Sequence, residues 1–440
     1  MRTNLKPTDR GTWILVAAAV MLLAITMGSR SVFGLFISPL NSATGLGIAT
    51  ISFAVAVSQL TWGAAQPFCG MLAERFGTAR VIAAGSLLAA AAGAMVPYAD
   101  SAALLVAVLA IAGIAATVGS PSLLVGTVSQ RVPAERRGLV AGIVGAGGPL
   151  GQLLLAPATQ AVISFAGWIS AALSIAALSL LALPLALAFR RRPAGPAATA
   201  PGAAPSPAAP AGATVREALS SRGFWLINAT FFVCGFHVFF LVTHLPGVVE
   251  LCGLPASISG LSLAMLGLFN IAGSIGSGVV IQHFSMKYTL AALFAARGIG
   301  IALFLAAPKT EFSVLAFSMW MGLTYMAVLP PTSGLIGKLY GTQRLATLLG
   351  LVFLLHQVGA FLGSWLGGVV LESTGSYDWM WLIDIALTVI AIALSLCVRE
   401  APRAAATETN RQQIGGARQS PGYLRLPAFQ LPGRPGIGRT

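Results

Sequence analysis

The residue with the most chemistry to offer is an arginine set in an apolar run. Arg30 stands in the stretch Met27 to Leu40, MGSRSVFGLFISPL, behind an almost unbroken apolar run from Trp13 to Met27. About 20 apolar residues cross a hydrocarbon core, so the flanks of Arg30 together make a membrane-spanning helix. At about 1.5 Å per residue, Arg30 lies about 25 Å along that helix from Trp13. A guanidinium at such depth costs about 3 kcal/mol or more unless it faces protein, water or an anion. The chemistry on offer is capture of a carboxylate by a forked, permanently charged donor. The structural alternative is an ion pair or hydrogen bonds to helix carbonyls.

Three further groups could carry protons. His237 and His244 are seven apart and share a helix face. His356 lies about 17 Å into its helix from Leu345, close to mid-membrane. Imidazole titrates near neutral pH and can relay a proton, or it can sit neutral and hydrogen-bonded within a bundle. We take His244 and His356 as proton-coupling candidates and His237 as structural. Gln59 and Gln66, also seven apart, join Ser120, Gln152, Asn270, Tyr325 and Gln357 as polar groups that must face protein or water rather than lipid. From these, Arg30, Asn270, Tyr325, His244 and Gln357 form the expected substrate site. Arg297 is close enough to a helix end for its head to reach the interface, a structural placement.

The elements that position these residues follow from composition. Of 440 residues, 56% are hydrophobic and only 9% charged, against about a quarter charged in soluble domains; mean hydropathy is +0.85. The chain reads as an all-α integral membrane protein. Twelve apolar segments fall at about 12–38, 48–72, 81–98, 102–128, 138–163, 168–189, 224–250, 256–282, 289–307, 312–338, 345–370 and 379–398. Lys and Arg collect at the N-terminus and in the even-numbered gaps, including Arg75, Arg80, Arg131, Arg136, Arg137, Arg190, Lys287, Lys338 and Arg344. The odd-numbered gaps hold Lys309 with Asp100, Glu250, Glu311, Glu372 and Asp378. Both termini are therefore expected in the cytoplasm. The net charge of +14 marks a rim that contacts acidic lipids, not a nucleic-acid surface.

The expected organisation is a cytoplasmic N-terminus (1–11), a six-helix lobe (12–189), a cytoplasmic Pro/Ala-rich linker ending in a short amphipathic helix (190–223), a second six-helix lobe (224–398) and a disordered cytoplasmic tail (399–440). The four cysteines have no metal spacing, and neither a phosphate-binding loop nor a His-Glu-x-x-His motif is present. No enzyme activity, cofactor or metal is expected.

The halves echo each other. Gly70-Met-Leu-Ala-Glu74-Arg75-Phe-Gly77 stands between segments 2 and 3, and Gly278-Val-Val-Ile-Gln282-His283-Phe-Ser285 between segments 8 and 9. The first resembles the Gly-x-x-x-Asp-Arg-x-Gly loop of the major facilitator superfamily, with Glu74 in the Asp position. Gly145-Ala-Gly-Gly148-Pro149-Leu-Gly151-Gln152 is similar to the same superfamily's Gly-Pro-rich fifth-helix motif. The segments 28–36, 234–249, 321–339 and 354–370 resemble its bacterial monocarboxylate-transporter-like branch, near the oxalate–formate antiporters.

That resemblance implies the major facilitator fold, twelve helices in two lobes, with a site between them reached from either side in turn. It implies a gating role for Gly70, Glu74, Arg75, Gly77, Gly148 and Pro149, and Pro330-Pro331 read as a hinge in helix 10. The animal members of the branch have a cation, Lys, where this chain has Arg30. They also carry an Asp…Arg pair in helix 8, where this chain has Asn270 and Ser274. The expected activity is secondary transport of small organic anions, monocarboxylate-like, by proton symport or anion exchange, in a monomer of the plasma (inner) membrane. The rivals are efflux of amphipathic drugs, suggested by aromatics such as Phe232, Phe236 and Phe240, and a non-transporting receptor. Expected partners are the small-molecule substrate and membrane lipids.

Overall fold

A computed structural model describes residues 7–133, 136–190, 214–341 and 344–400. Most of the linker, including 193–213, and all of the tail beyond Glu400 lie outside the described residues. Among the described residues every regular element is helical. Eleven helices are long and apolar enough to cross a membrane. One of them, Arg137–Phe189, has 53 residues, about 80 Å of helix against a core of about 30 Å. It turns at Gly167, whose φ of 82° and ψ of 163° suit only glycine. Two crossings result, and twelve in all.

Spans 1 to 4 are Gly11–Thr44, Ile48–Phe76, Thr78–Tyr98 and Ala102–Ser129; spans 5 and 6 flank Gly167. Spans 7 to 10 are Arg222–Leu251, Ala256–Val280, Met286–Ala306 and Glu311–Tyr340. Span 11 is the helix Leu345–Thr374, and span 12 is Asp378–Cys397. The short helix expected before span 7 is Val215–Leu219. Thr214 and Glu217 start it by exchanging side-chain and backbone hydrogen bonds, which satisfy two free amides.

Of the four apolar clusters among the described residues, one lies around Ile37, Leu40, Ile51 and Leu105, and three others organise the packing around the site. Leu22, Ile82, Leu124, Val140 and Phe189 lie in one. Phe224, Phe294, Leu335, Val352 and Ala391 lie in the second. The third bridges the halves at the odd-loop end, with Val32, Leu35, Phe36 and Ala156 of the first half among Phe240, Leu263, Phe317 and Trp381 of the second. Close contacts between halves concentrate there. A Cβ on Gly34 would sit 2.6 Å from the carbonyl oxygens of Val242 and Thr243, and one on Gly260 would sit 2.7 Å from Gln160 Cβ. Toward the even-loop end, Cβ atoms added at Gly70, Gly138, Gly142, Gly276, Gly278 or Gly350 would meet nothing within 4 Å. Among the described residues, the hydrogen bonds between the halves run from the middle of the bundle to the odd-loop side.

One expectation about charge is corrected. Arg297 does not reach an interface; it is 1% exposed, in the interior of the second half. Asp384, in span 12, is likewise 1% exposed. Each neutralises part of the cost of burying the other, as described below. The proline pair is also repositioned. Pro330 and Pro331 fall in the first turn of the helix Leu329–Tyr340, where missing amide hydrogens cost nothing. The interruption of span 10 precedes them, at 325–328.

Candidate functional site

Span 1 delivers Arg30 from the last turn of its first helix, Pro7–Ser31. Ser29 donates to the Ile25 carbonyl at 2.6 Å and Ser31 to that of Gly28 at 2.8 Å. Such bonds from serine compete with the helix ladder, and the chain passes into a tighter turn at Phe33–Phe36. The arginine thus sits at a bend inside the membrane.

Span 2 supplies the surface that Arg30 meets. Gln59 and Trp62, three apart on one helix face, are both buried. Arg30 Nη2 donates to Gln59 Oε1, and its guanidinium lies over the Trp62 ring, 4.1 Å from the centroid. That stacking contributes about 0.5–2 kcal/mol. Neither partner carries negative charge. Among the described residues no carboxylate comes within 4 Å of Arg30. The Trp62 indole N–H has no acceptor either, so two kinds of donor crowd one place.

The second half closes the site. Gln357 of span 11 donates through Nε2 to the Gln59 carbonyl at 3.2 Å, and a Cβ on Gly63 would lie 2.6 Å from Gln357 Cγ. His356, next to it, places Nδ1 3.1 Å from Gln357 Oε1. Its ring lies 4.8 Å from that of Phe231, and Nε2 has no partner. Tyr325, at the break of span 10, lies within electrostatic reach of Arg30. The structure thus brings together Arg30, Tyr325, Gln357 and His356, with Gln59 and Trp62.

Other expected site residues are placed elsewhere. His244 is buried near the odd-loop end, with Nδ1 3.0 Å from the Tyr377 hydroxyl and Nε2 2.7 Å from the Ser364 carbonyl. A carbonyl only accepts, so Nε2 carries the hydrogen and Nδ1 accepts from Tyr377; both ring nitrogens are engaged. Asn270 is turned to the backbone: its Oδ1 accepts from the Met326 amide at 3.2 Å and from Ser274 at 3.3 Å. Gly70, Glu74, Arg75 and Gly77 lie at the even-loop end of span 2, where Gly77 at φ 90° ends the helix. Gly148 approaches Met27 of span 1, and the Pro149 carbonyl would lie 2.8 Å from a Cβ on Gly267 of span 8.

Sequence reasoning passed over Trp62, although its place three residues from Gln59 on the same helix face was a usable signal. It also missed a buried chain of charges behind Tyr325. Arg297 Nη2 donates to the Thr324 and Tyr325 carbonyls at 2.5 and 3.0 Å. Its Nη1 is 3.4 Å from His237 Nδ1, and His237 Nε2 is 3.4 Å from Asp384 Oδ1. With Ser277 donating to the Ala327 carbonyl at 2.6 Å, spans 8 and 9 hold the opened backbone of span 10 by its freed polar groups.

Comparison with known proteins agrees with this architecture. The chain is 26% identical to an uncharacterised transporter from Bacillus subtilis, YcxA, over 90% of this chain and 97% of that one. It is 25% identical to the oxalate:formate antiporter of Oxalobacter formigenes, covering 88% and 91% of the two. It is also 25% identical to monocarboxylate transporter 13 of Bos taurus, covering 86% and 87%. In fold it is similar to a crystal structure of a bacterial homologue of the human lysosomal transporter Spinster, in an inward-facing and occupied conformation. The TM-score is 0.69 at 16% identity, covering 90% of this chain and 97% of that one. The model of the Major Facilitator Superfamily matches residues 19–308 and 277–430. The chain belongs to the Major Facilitator Superfamily and is a multi-pass membrane transporter.

Proposed function

We propose that this transporter carries small carboxylates by secondary transport, with Arg30 as the fixed charge that binds them. The observation that carries this reading is Arg30 itself. It is half-buried deep in the membrane, beside an unpaired indole N–H, and held only by a neutral amide and an aromatic face. A carboxylate accepting from the guanidinium, from Trp62 Nε1 and from the Tyr325 hydroxyl would satisfy donors that the protein leaves open. The similarity to an oxalate:formate antiporter and to monocarboxylate transporters supports this class of cargo.

Transport requires the site to meet each side in turn. With the bonds between the halves running from mid-bundle to the odd-loop side, this reading opens the site toward the basic, even-loop side, which the distribution of Lys and Arg assigns to the cytoplasm. This state is then inward-facing. Its closed side is fastened by carboxylates: Glu372 of span 11 accepts from the Ala49 amide at 2.7 Å, and Glu250 of span 7 accepts from Ser38 at 2.9 Å. Opening outward breaks both bonds and the Gln357–Gln59 bond while the even-loop side comes together.

Thermal shift of the purified protein against formate, oxalate, lactate and neutral amphipathic compounds tests the assignment. Stabilisation by carboxylates that disappears in Arg30→Ala is expected. Stabilisation by neutral amphipaths alone, unchanged in that variant, would overturn it.

A further inference from the structure

The buried row Asp384–His237–Arg297 has no part in binding the cargo, yet it ends on the backbone that carries Tyr325. The three groups are 1%, 0% and 1% exposed, and they come from three different spans, 12, 7 and 9. Polar atoms along the row are left over. Asp384 Oδ1 and His237 Nε2 have only each other, at 3.4 Å and outside good hydrogen-bond geometry, while Arg297 Nε and, one turn beyond Asp384, Thr388 Oγ1 lack a hydrogen-bond partner among the described residues. A row built only to brace the fold would satisfy such atoms, because each one left unpaired costs about 1–3 kcal/mol. A lobe interior that tolerates this has room for one more hydrogen bond.

The direction of the existing bonds shows where a proton can go. Arg297 is a pure donor, so His237 Nδ1 facing it must accept, and the imidazole hydrogen sits on Nε2, toward Asp384. His237 cannot take a second proton on Nδ1 while Arg297 points at it. The group in the row that can accept one is the Asp384 carboxylate. The other titratable or charged groups around the row are Cys234 of span 7, His356 of span 11 and Tyr325 of span 10. None of them adds negative charge while protonated or neutral. Asp384 is therefore the sole counter-charge to Arg297 within the row.

We propose that Asp384 is the proton-binding site that couples transport, with His237 and Arg297 as positioning residues that link it to the cargo site through the break in span 10. The inference rests on the carboxylate reading above and supplies its coupling ion. A hydronium ion gives up a proton to the Asp384 carboxylate: one of its O–H bonds breaks, the O–H bond of the carboxylic acid forms, and a water molecule is released. Arg297 then keeps its charge without a counter-ion in a low-dielectric interior. Arg297 grips the Thr324 and Tyr325 carbonyls, and Tyr325 lies within electrostatic reach of both Arg297 and Arg30. An anion arriving at Arg30 supplies the missing negative charge. Proton and anion therefore favour each other's binding, and reciprocally so. Loaded together they leave the charge of the interior unchanged, which is the condition for crossing as a pair.

Proteoliposomes test this with labelled formate, oxalate and lactate, in two assays. Exchange, with substrate on both sides, reports the carrier; accumulation driven by an imposed pH gradient reports coupling. Wild type should do both. In Asp384→Asn, close in shape to a permanently protonated acid, accumulation should fall to equilibration while exchange persists at a rate that no longer varies with pH. Asp384→Glu, which can still take a proton, should restore accumulation. Undiminished pH-driven accumulation in Asp384→Asn would overturn the proton site and leave the carboxylate reading standing. Absence of exchange in wild type with any of these anions would overturn the carboxylate reading itself. A measurement independent of variants is infrared difference spectroscopy of the wild type. Addition of lactate at neutral pH should raise the C=O stretch of a protonated carboxylic acid, and an unchanged carboxyl region during demonstrated binding would contradict the proposal.

Discussion

The side-chain amide of Gln357 donates to the backbone carbonyl of Gln59 at 3.2 Å, and the side chain of Gln59 in turn accepts from Arg30. One residue of span 2 thus joins the expected anion site to the opposite half of the protein. A helix carbonyl already accepts a bond within its own ladder and keeps a second lone pair to offer. Gln357 uses that spare capacity without disturbing span 2. The contact is therefore able to form and break as the halves move, at the modest net cost of one neutral hydrogen bond, about 1 kcal/mol.

Substitution of Trp62 by Leu removes both the ring under Arg30 and an indole donor. Transport should survive with weaker binding, the apparent affinity for the carboxylate falling about 3- to 30-fold from the lost cation–π contact alone. Concentration-dependent uptake measures this. An unchanged KM would remove Trp62 from the site.

Gly63 lets span 11 approach span 2, and a Cβ there would lie 2.6 Å from Gln357 Cγ. Gly63→Val should push the halves apart on the closed side and shift the resting state outward. Thiol labelling of single cysteines introduced at the odd-loop end should quicken, and labelling at Gly142 or Gly276 on the even-loop side should slow. Identical labelling in variant and parent would contradict this.

Glu372 caps the start of span 2 from across the interface by accepting from the Ala49 amide. Glu372→Ala should cost about 0.5–2 kcal/mol of the state closed at the odd-loop end, the range for lost caps at helix starts. The same labelling assay should report a several-fold population shift outward. Glu372→Gln, which still offers an acceptor, should retain most of the parental behaviour.

Glu400 does comparable work at the even-loop end. It accepts from Ser285 and from the Met286 amide at 3.1 Å, and it faces Lys338 at 3.4 Å. Partial burial opposes its charge, but these hydrogen bonds and the lysine prevail and hold its carboxyl below the usual carboxylate range. Folding therefore favours the ionised form. Its contribution is complete above the unfolded value near 4.5 and is lost as pH falls through the lower folded value. Glu400→Gln should lower Tm at neutral pH and narrow its gap to the parent below about pH 4. A gap independent of pH would show that the charge is immaterial.

Much of the fold was legible because lipid leaves few choices: apolar run length and the placement of Lys and Arg specify the crossings and which loops share a side. Gly167 divides the longest helix where the sequence has a break between apolar segments. Arg30, Tyr325, Gln357 and His356 were legible as polar residues in apolar helices, and the structure brings them together. Asn270 and His244 carried the same signal but turn to backbone or neighbouring hydroxyl groups, since helix periodicity does not say whether a polar group faces a cavity or a neighbour. The Asp384–His237–Arg297 row was illegible for another reason. Its members lie 60 to about 150 residues apart on three helices, and alone Arg297 reads as a side chain reaching a helix end and His237 as a structural histidine. Only the packing of spans 7, 9 and 12 makes their charges complementary.

The central claim is that Arg30 binds a carboxylate directly. The most direct measurement is exchange of labelled oxalate, formate and lactate in proteoliposomes containing wild type, Arg30→Lys or Arg30→Gln, with incorporation matched. Saturable exchange of at least one anion by wild type, weaker exchange with raised KM in Arg30→Lys, and none above empty vesicles in Arg30→Gln is the predicted result. Wild-type exchange that Arg30→Gln reproduces at the same KM would contradict the account.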